Sequence, residues 1–161
     1  MGVQRFTKRF AGVPDSIAEA RHWLAGLFPP GSGDAGPPPE SRSNAVLLLS
    51  EVATNAVRYT ASGGCDGAFT VRVHLSPATL RVQVEDGGSA TSTPRRMAAG
   101  PGDERGRGLV LVDAIADLWG PLVDPPGMFF DLSWAPVTRN GAGRGAGPGA
   151  CVRRNTGPGR P

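Results

Sequence analysis

Glu51 and Asn55 lie four residues apart in a segment whose apolar residues recur at helical spacing. A helix would place both side chains on one face, at the border of the apolar stripe. A carboxamide oxygen is a hard ligand suited to Mg²⁺, and a nearby carboxylate can take a proton from a nucleophile. The pair could therefore form a metal-dependent site, but taken alone it is more typical of the polar edge of an ordinary helix.

A second candidate is Asp86-Gly87-Gly88, which follows an alternating apolar segment over 80–85. An Asp at the end of a strand offers two acceptor oxygens to an amino group such as that of adenine. The glycines, including Gly88, would let a flat ligand approach the backbone. A simple Asp-Gly turn explains the same residues without any ligand.

The third candidate is Gly106-Arg107-Gly108-Leu109, at the predicted start of a helix. Glycines expose backbone N–H groups there, and the N-terminus of a helix favours anions. Arg105 and Arg107 could add positive charge against phosphates. A flexible linker ahead of a packing helix is the alternative interpretation.

Apolar periodicity predicts the elements that position these candidates. Ser16 and Glu19 have the spacing of a capping box, so we expect a helix to begin at Ser16. Ser41 or Ser43 can cap the next helix. The remaining predictions are a strand over 5–10, an end of the first helix at 29–30, a second helix ending near Tyr59, strands over 68–75 and 80–85, a lid over about 87–105, a helix over 108–119 and a strand over 128–134.

This order of elements predicts an α/β (α+β) two-layer sandwich, in which a mostly antiparallel, mixed sheet carries helices on one face. The predicted domain covers residues 1–135. The Gly/Arg/Pro-rich tail over 136–161 has no apolar periodicity, so we expect it to be disordered.

Charge and composition exclude several classes of function. The tail holds five Arg and no acid, so residues 1–135 carry 12 basic and 14 acidic side chains, a net charge of −2. A domain without a basic stripe is not expected to bind nucleic acid directly. Cys65 and Cys151 have no metal-ligand spacing and make no disulfide framework. With no signal-peptide pattern and no apolar run long enough for a membrane span, a cytoplasmic location is expected.

The order and spacing of the three motifs resemble the N, G1 and G2 boxes of the Bergerat ATP-binding fold, found in histidine-kinase-like (GHKL) ATPase domains. The stretches Ser50–Tyr59 and Gly106–Asp113 are similar to bacterial anti-sigma-factor serine/threonine kinases. The resemblance covers about residues 5–135. No Gly-Lys-Ser/Thr occurs, so a Walker-type P-loop is absent.

The resemblance implies ATP and Mg²⁺ as cofactors and a role for each motif. Asn55 would hold Mg²⁺, Glu51 would be the catalytic base, and Asp86 would bond the adenine amino group. The remaining implied contacts are Gly88 beside the adenine ring, the backbone of Gly106, Gly108 and Leu109 around the phosphates, and Arg105 and Arg107 near them.

The implied function is a serine/threonine kinase that acts on a small partner protein. The implied partners are a sigma factor, an anti-sigma-factor antagonist protein, or both, and a second copy of the chain in a homodimer. Tyr59 stands where the family often has His, Ser89-Ala90 replace a later glycine of the G1 box, and Pro126-Gly127 stand where relatives often have Thr. These differences leave open an ATP-dependent protein-binding module without turnover.

A third alternative is the catalytic half of a two-component sensor. It has little support, because His22 and His74 are the two histidines and neither lies on a separate pair of dimerisation helices.

Overall fold

The computed structural model describes residues 2–28, 36–60, 62–63, 66–87 and 104–134, with the backbone alone for 104–107. These residues form three helices and five strands. In chain order they are β1 (Gln4–Ala11), α1 (Asp15–Gly26), α2 (Pro39–Tyr59), β2 (Ala68–Leu75), β3 (Thr79–Glu85), α3 (Glu104–Ile115), β4 (Leu118–Val123) and β5 (Pro126–Ser133).

The strands form one sheet in the order β1-β2-β3-β5-β4, and all four pairings among the described strands are antiparallel. Alternate residues of the three central strands are buried because successive side chains in a strand point to opposite faces. These buried residues are Phe69, Val71, Val73, Leu75, Leu80, Val82, Val84, Met128, Phe130 and Leu132. The predicted two-layer α/β (α+β) sandwich is therefore confirmed.

Helix α2 is the central element of the helical layer, where it contacts β2, β3 and β5 of the sheet and both other helices. Its buried stripe consists of Ala45, Leu48, Leu49, Val52, Ala53 and Ala56. Each fully buried Leu or Val contributes about 1.5–3 kcal/mol. This stripe fixes the rotation of α2, and with it the direction of the polar side chains on its opposite edge.

The predicted helix starts are wrong by one or more residues. Helix α1 begins at Asp15 after Pro14, so Ser16 lies inside its first turn, is buried and makes no capping hydrogen bond. Capping requires a residue outside the helix with non-helical backbone angles. Helix α2 begins at Pro39, because proline fits the first turn, and the Ser43 hydroxyl donates to the Pro39 carbonyl instead of capping.

The predicted helix over 108–119 is wrong at both ends. Helix α3 covers Glu104–Ile115, and the chain then forms the edge strand β4, in which Trp119 pairs with Phe130. Pro121 is tolerated there because one side of an edge strand needs no backbone donor. Residues 88–103 of the predicted lid and the predicted disordered tail over 136–161 lie outside the described residues.

Candidate nucleotide site

Glu51 and Asn55 project from the same face of α2, one helical turn or about 6 Å apart. Both are half-buried, and neither side chain has a hydrogen bond or ion pair with another described residue. The polar side chains next to them in the sequence do have partners. The Ser50 hydroxyl donates to the Val46 carbonyl at 2.9 Å, and the Thr54 hydroxyl donates to the Ser50 carbonyl at 2.7 Å. Toward the rest of the described chain, the carboxylate and the carboxamide therefore keep their hydrogen-bonding capacity.

Helix α3 contacts α2 at Glu51. Gly108 is buried, and a Cβ built on it would lie 2.7 Å from Glu51 Oε2. The Glu51-Asn55 motif and the Gly106-Arg107-Gly108-Leu109 motif are therefore brought together by the fold. A side chain at position 108 would require the Glu51 carboxylate to move from its present position.

The backbone of α3 changes the expected phosphate contacts. The helix begins at Glu104, four residues before the predicted start near Gly108. About four N–H groups at the start of a helix have no intrahelical partner. Gly106 lies at the end of that first turn, whereas Gly108 and Leu109 lie beyond it. The side chains of Arg105 and Arg107 lie outside the described residues.

Asp86 follows the last residue of β3 and is half-buried. Its N–H donates to the carbonyl of Pro126 at 2.9 Å, and the next N–H, that of Gly87, donates to Ser62 Oγ at 2.8 Å. The backbone is thus held on both sides of the Asp86 carboxylate, as a rigid recognition site requires. Gly88 lies outside the described residues.

Ser62 is a residue of this site that the sequence analysis missed. It lies in the turn after α2 and has only 1% of its surface exposed. A serine in a Gly-rich segment is typical of any turn, so its type carried no signal. Its role becomes visible only through the hydrogen bond to Gly87, 25 residues away.

A groove between α1 and α2, the α1–α2 groove, reaches Glu51 from another direction. It has a volume of about 600 Å³, and its lining includes Arg21 and Phe28 on the α1 side and Arg42, Leu47 and Glu51 on α2. Asn55, Asp86 and Gly108 are not part of the lining. Glu51 therefore lies between the groove and the other candidate nucleotide residues.

A family model described as a histidine kinase-like ATPase domain matches residues 10–125. The chain belongs to the histidine kinase-like ATPase domain family. No curated protein matches the chain. The matched region contains all three motifs, and it extends from the end of β1 to the turn before β5.

ATP binding is the property that this family assigns to the domain, and the side chains fit a Mg²⁺-bound nucleotide. No group of three or more His, Cys, Asp or Glu among the described residues could hold a metal by itself. A single carboxamide such as that of Asn55 suits Mg²⁺, which keeps several waters and is bound by one or two protein groups together with substrate phosphates. The donor set of this histidine kinase-like domain therefore fits the ion.

The glycine at position 127 is required by the close approach of two strands. Gly127 pairs with Glu85 at the start of β5, and a Cβ there would lie 2.0 Å from the Val84 carbonyl oxygen. The backbone of β5 approaches β3 too closely for a larger residue. In this histidine kinase-like domain the Pro126 carbonyl, beside that glycine, accepts the N–H of Asp86.

His74 lies on the outer face of the sheet, which the helices do not cover. Burial, followed by the charges of Arg5, Arg81 and Arg72, lowers the pKa of its imidazole. The pKa of Arg81 is raised by its hydrogen bond to Asp131. This charged face lies on the opposite side of the sheet from α2, which carries Glu51 and Asn55.

Within the described segments of the chain, no helix combines the length and apolar character needed to span a bilayer.

Proposed function

We propose that the protein binds Mg²⁺-ATP and transfers the γ-phosphate to a serine or threonine hydroxyl of a small partner protein, in a switch of the anti-sigma-factor type. The observation that carries the proposal is the contact of Glu51 with Gly108, one helical turn from Asn55. The contact lies at the second turn of α3. Glu51 as the base and Asn55 as the metal ligand would therefore stand close to the backbone N–H groups at the start of α3, which suit phosphates.

The nucleotide would lie along the exposed edge of α2. Asp86 receives the adenine amino group beyond the C-terminal end of α2, near Ser62. Glu51 is eight residues before Tyr59, so the phosphate end lies about 12 Å earlier along the helix. The first turn of α3 then faces the phosphates.

Glu51 acts on the incoming hydroxyl. As the hydroxyl oxygen forms its bond to the γ-phosphorus, the carboxylate accepts the proton, and the bond to the bridging oxygen breaks with its electrons leaving on ADP. Asn55 would hold Mg²⁺, which would supply positive charge against the phosphate oxygens. The chain has little covalent chemistry to perform, so positioning accounts for most of the rate.

The α1–α2 groove is the proposed site for the hydroxyl-bearing segment of the partner, because it ends at Glu51. Leu47 in its lining is 41% exposed, and Arg21 supplies positive charge. An apolar residue flanked by acidic ones would suit this lining. A sigma factor or an anti-sigma-factor antagonist is the proposed partner class, and a homodimer is the proposed assembly.

Calorimetry with ATP and Mg²⁺ tests the first step and should show one site per chain. The transfer assay uses γ-labelled ATP and purified anti-sigma-factor antagonist proteins from the same genome, with label expected on a Ser or Thr. No detectable ATP binding overturns the proposal. Binding without transfer to any antagonist makes an ATP-dependent binding module the better function.

A further inference from the structure

The Ser62 hydroxyl connects the end of α2 to the end of β3. Its oxygen accepts the Gly87 N–H at 2.8 Å, and the side chain is almost completely excluded from solvent. A buried hydroxyl needs a hydrogen-bond partner, since burying it without one costs about 1–3 kcal/mol. The contact with Gly87 meets that need.

Ser62 is itself rigidly held. Its N–H donates to Thr60 Oγ1 at 3.1 Å, and that hydroxyl donates to the Ala56 carbonyl at 2.6 Å. On the other side, a Cβ built on Gly12 or Gly67 would lie 1.5 or 2.0 Å from the Ser62 carbonyl oxygen. The last turn of α2 and the facing ends of β1 and β2 therefore determine where the hydroxyl lies.

The chain just beyond β3 is held through its backbone N–H groups. Glu85 is the last residue of β3 to pair with β5, opposite Gly127. The Asp86 N–H reaches Pro126, after which the sequence continues with Gly87 and Gly88. Glycines adopt many backbone conformations, so their direction depends on whatever holds them. At Gly87 the holding group is Ser62.

We propose that Ser62 is a positioning residue for recognition of the nucleotide base. By holding the Gly87 N–H, it directs the Asp86 carboxylate toward the exocyclic amino group of adenine. The inference rests on the proposed function, because it assigns Asp86 to the base. Ser62 acts through Asp86, so its loss should weaken discrimination between bases that carry an amino group and bases that lack one.

The test compares the dissociation constants of ATP and inosine triphosphate, in which a carbonyl oxygen replaces the amino group. Ser62→Ala should lower the preference for ATP about three- to tenfold, the range for losing one neutral hydrogen bond. Ser76→Ala is the matched control, because Ser76 also bonds a backbone N–H, that of Thr79, but in the β2–β3 turn. A purely structural role would lower the melting temperature of Ser62→Ala without moving the ATP preference.

A double-mutant cycle with Asp86→Asn tests whether Ser62 acts through Asp86. The losses in ATP preference should not add, because both variants weaken the same hydrogen bond between residue 86 and the amino group. Additive losses, or an unchanged preference in Ser62→Ala, overturn the inference. If Ser62→Ala fails to fold, the inference is tested by hydrogen exchange of the Gly87 amide in the parent protein. Exchange as fast as in a free peptide would show that Ser62 does not hold this N–H, and would overturn the inference.

The same measurements separate this inference from the proposed function. If the parent protein binds neither nucleotide, the proposed function is wrong and the role of Ser62 is wrong with it. If the parent protein prefers ATP and Ser62→Ala keeps the full preference, only the role of Ser62 is wrong.

Discussion

The carboxylate of Glu51 lies against the Cα of Gly108, where a Cβ would stand 2.7 Å from Oε2. The residues belong to different helices, so α2 and α3 meet at this contact in the candidate site. Real Cβ atoms do not approach an oxygen this closely. Any side chain at 108 must therefore displace the Glu51 carboxylate or move the helix.

Gly108→Ala should separate stability from activity. Alanine is favoured over glycine inside a helix by about 0.5–1 kcal/mol, and the end of a flexible Glu side chain can move aside. We expect the melting temperature to stay the same or rise. The displaced carboxylate would lose its alignment, so transfer in the assay above should fall roughly 10- to 100-fold.

Gly26→Ala is the matched control for that variant. Gly26 is the last residue of α1, and a Cβ there would meet nothing within 4 Å. The Gly26→Ala variant should gain similar helix stability and keep full transfer activity. Full transfer activity in Gly108→Ala would show that the position of the Glu51 carboxylate does not matter for the reaction.

Glu51→Gln and Asn55→Ala should have different effects although the residues are one turn apart. Asn55 would contact Mg²⁺ in the bound state, so its loss should weaken Mg²⁺-dependent ATP binding. Glu51 would contact only the incoming hydroxyl, so Glu51→Gln should bind ATP normally and lose about 10²–10⁴-fold in single-turnover transfer. Equal transfer rates in the parent protein and Glu51→Gln would remove Glu51 from the mechanism.

Asp86→Asn should weaken ATP binding by about 1.5–3 kcal/mol, the range for a hydrogen bond to a charged group. The variant keeps the shape of the side chain and the backbone bond to Pro126, so the fold should be unaffected. Calorimetry gives the affinity, and thermal unfolding serves as the control. An unchanged affinity would show that Asp86 does not bind the adenine ring of the nucleotide.

Local patterns predicted the parts of the fold that depend on local contacts. The stripe of α2 and the alternation in β2 and β3 are set by residues within one element. Strand β4 was missed because Trp119-Gly120-Pro121 looks like the end of a helix. Its strand conformation depends on pairing with β5, where Trp119 lies opposite Phe130.

The same distinction applies to the site. Glu51 and Asn55 could be identified because helical spacing alone places them together. The contact of Glu51 with Gly108 joins elements 57 residues apart, and the bond from Gly87 to Ser62 spans 25. Such contacts depend on packing between elements, which residue type and spacing do not encode.

Leu47→Asp tests the proposed docking of a partner in the α1–α2 groove. Leu47 is 41% exposed in the groove lining, so a charge there costs little stability but disturbs apolar contact with a partner. Transfer to an antagonist protein should weaken through a higher KM, while ATP affinity stays constant.

Val123→Asp is the control, because Val123 is 87% exposed on the edge strand β4, outside the groove. Equal effects of the two variants would argue against docking at this groove.

His74 should make the stability of the domain depend on pH. Arg5 of β1 and Arg81 of β3 are its cross-strand neighbours. Burial, then Arg5, Arg81 and Arg72, lower the pKa of His74 below its ordinary value of 6.5, with Asp131 of β5 opposing them. At a pH below about 6.5 the unfolded chain therefore binds more protons at this position than the folded chain does, so the free energy of unfolding falls as the pH falls.

His74→Gln removes the titrating group while keeping a polar side chain of similar length, and it should reduce this loss of stability. The measurement is urea unfolding of the parent protein and the variant between about pH 7.5 and pH 5, the range in which an unperturbed histidine gains its proton. The parent should lose stability relative to the variant across that range. Arg5→Gln should make the loss smaller, because it removes one of the charges that oppose protonation. Parallel curves for the parent and His74→Gln would show that the protonation of His74 is not linked to folding.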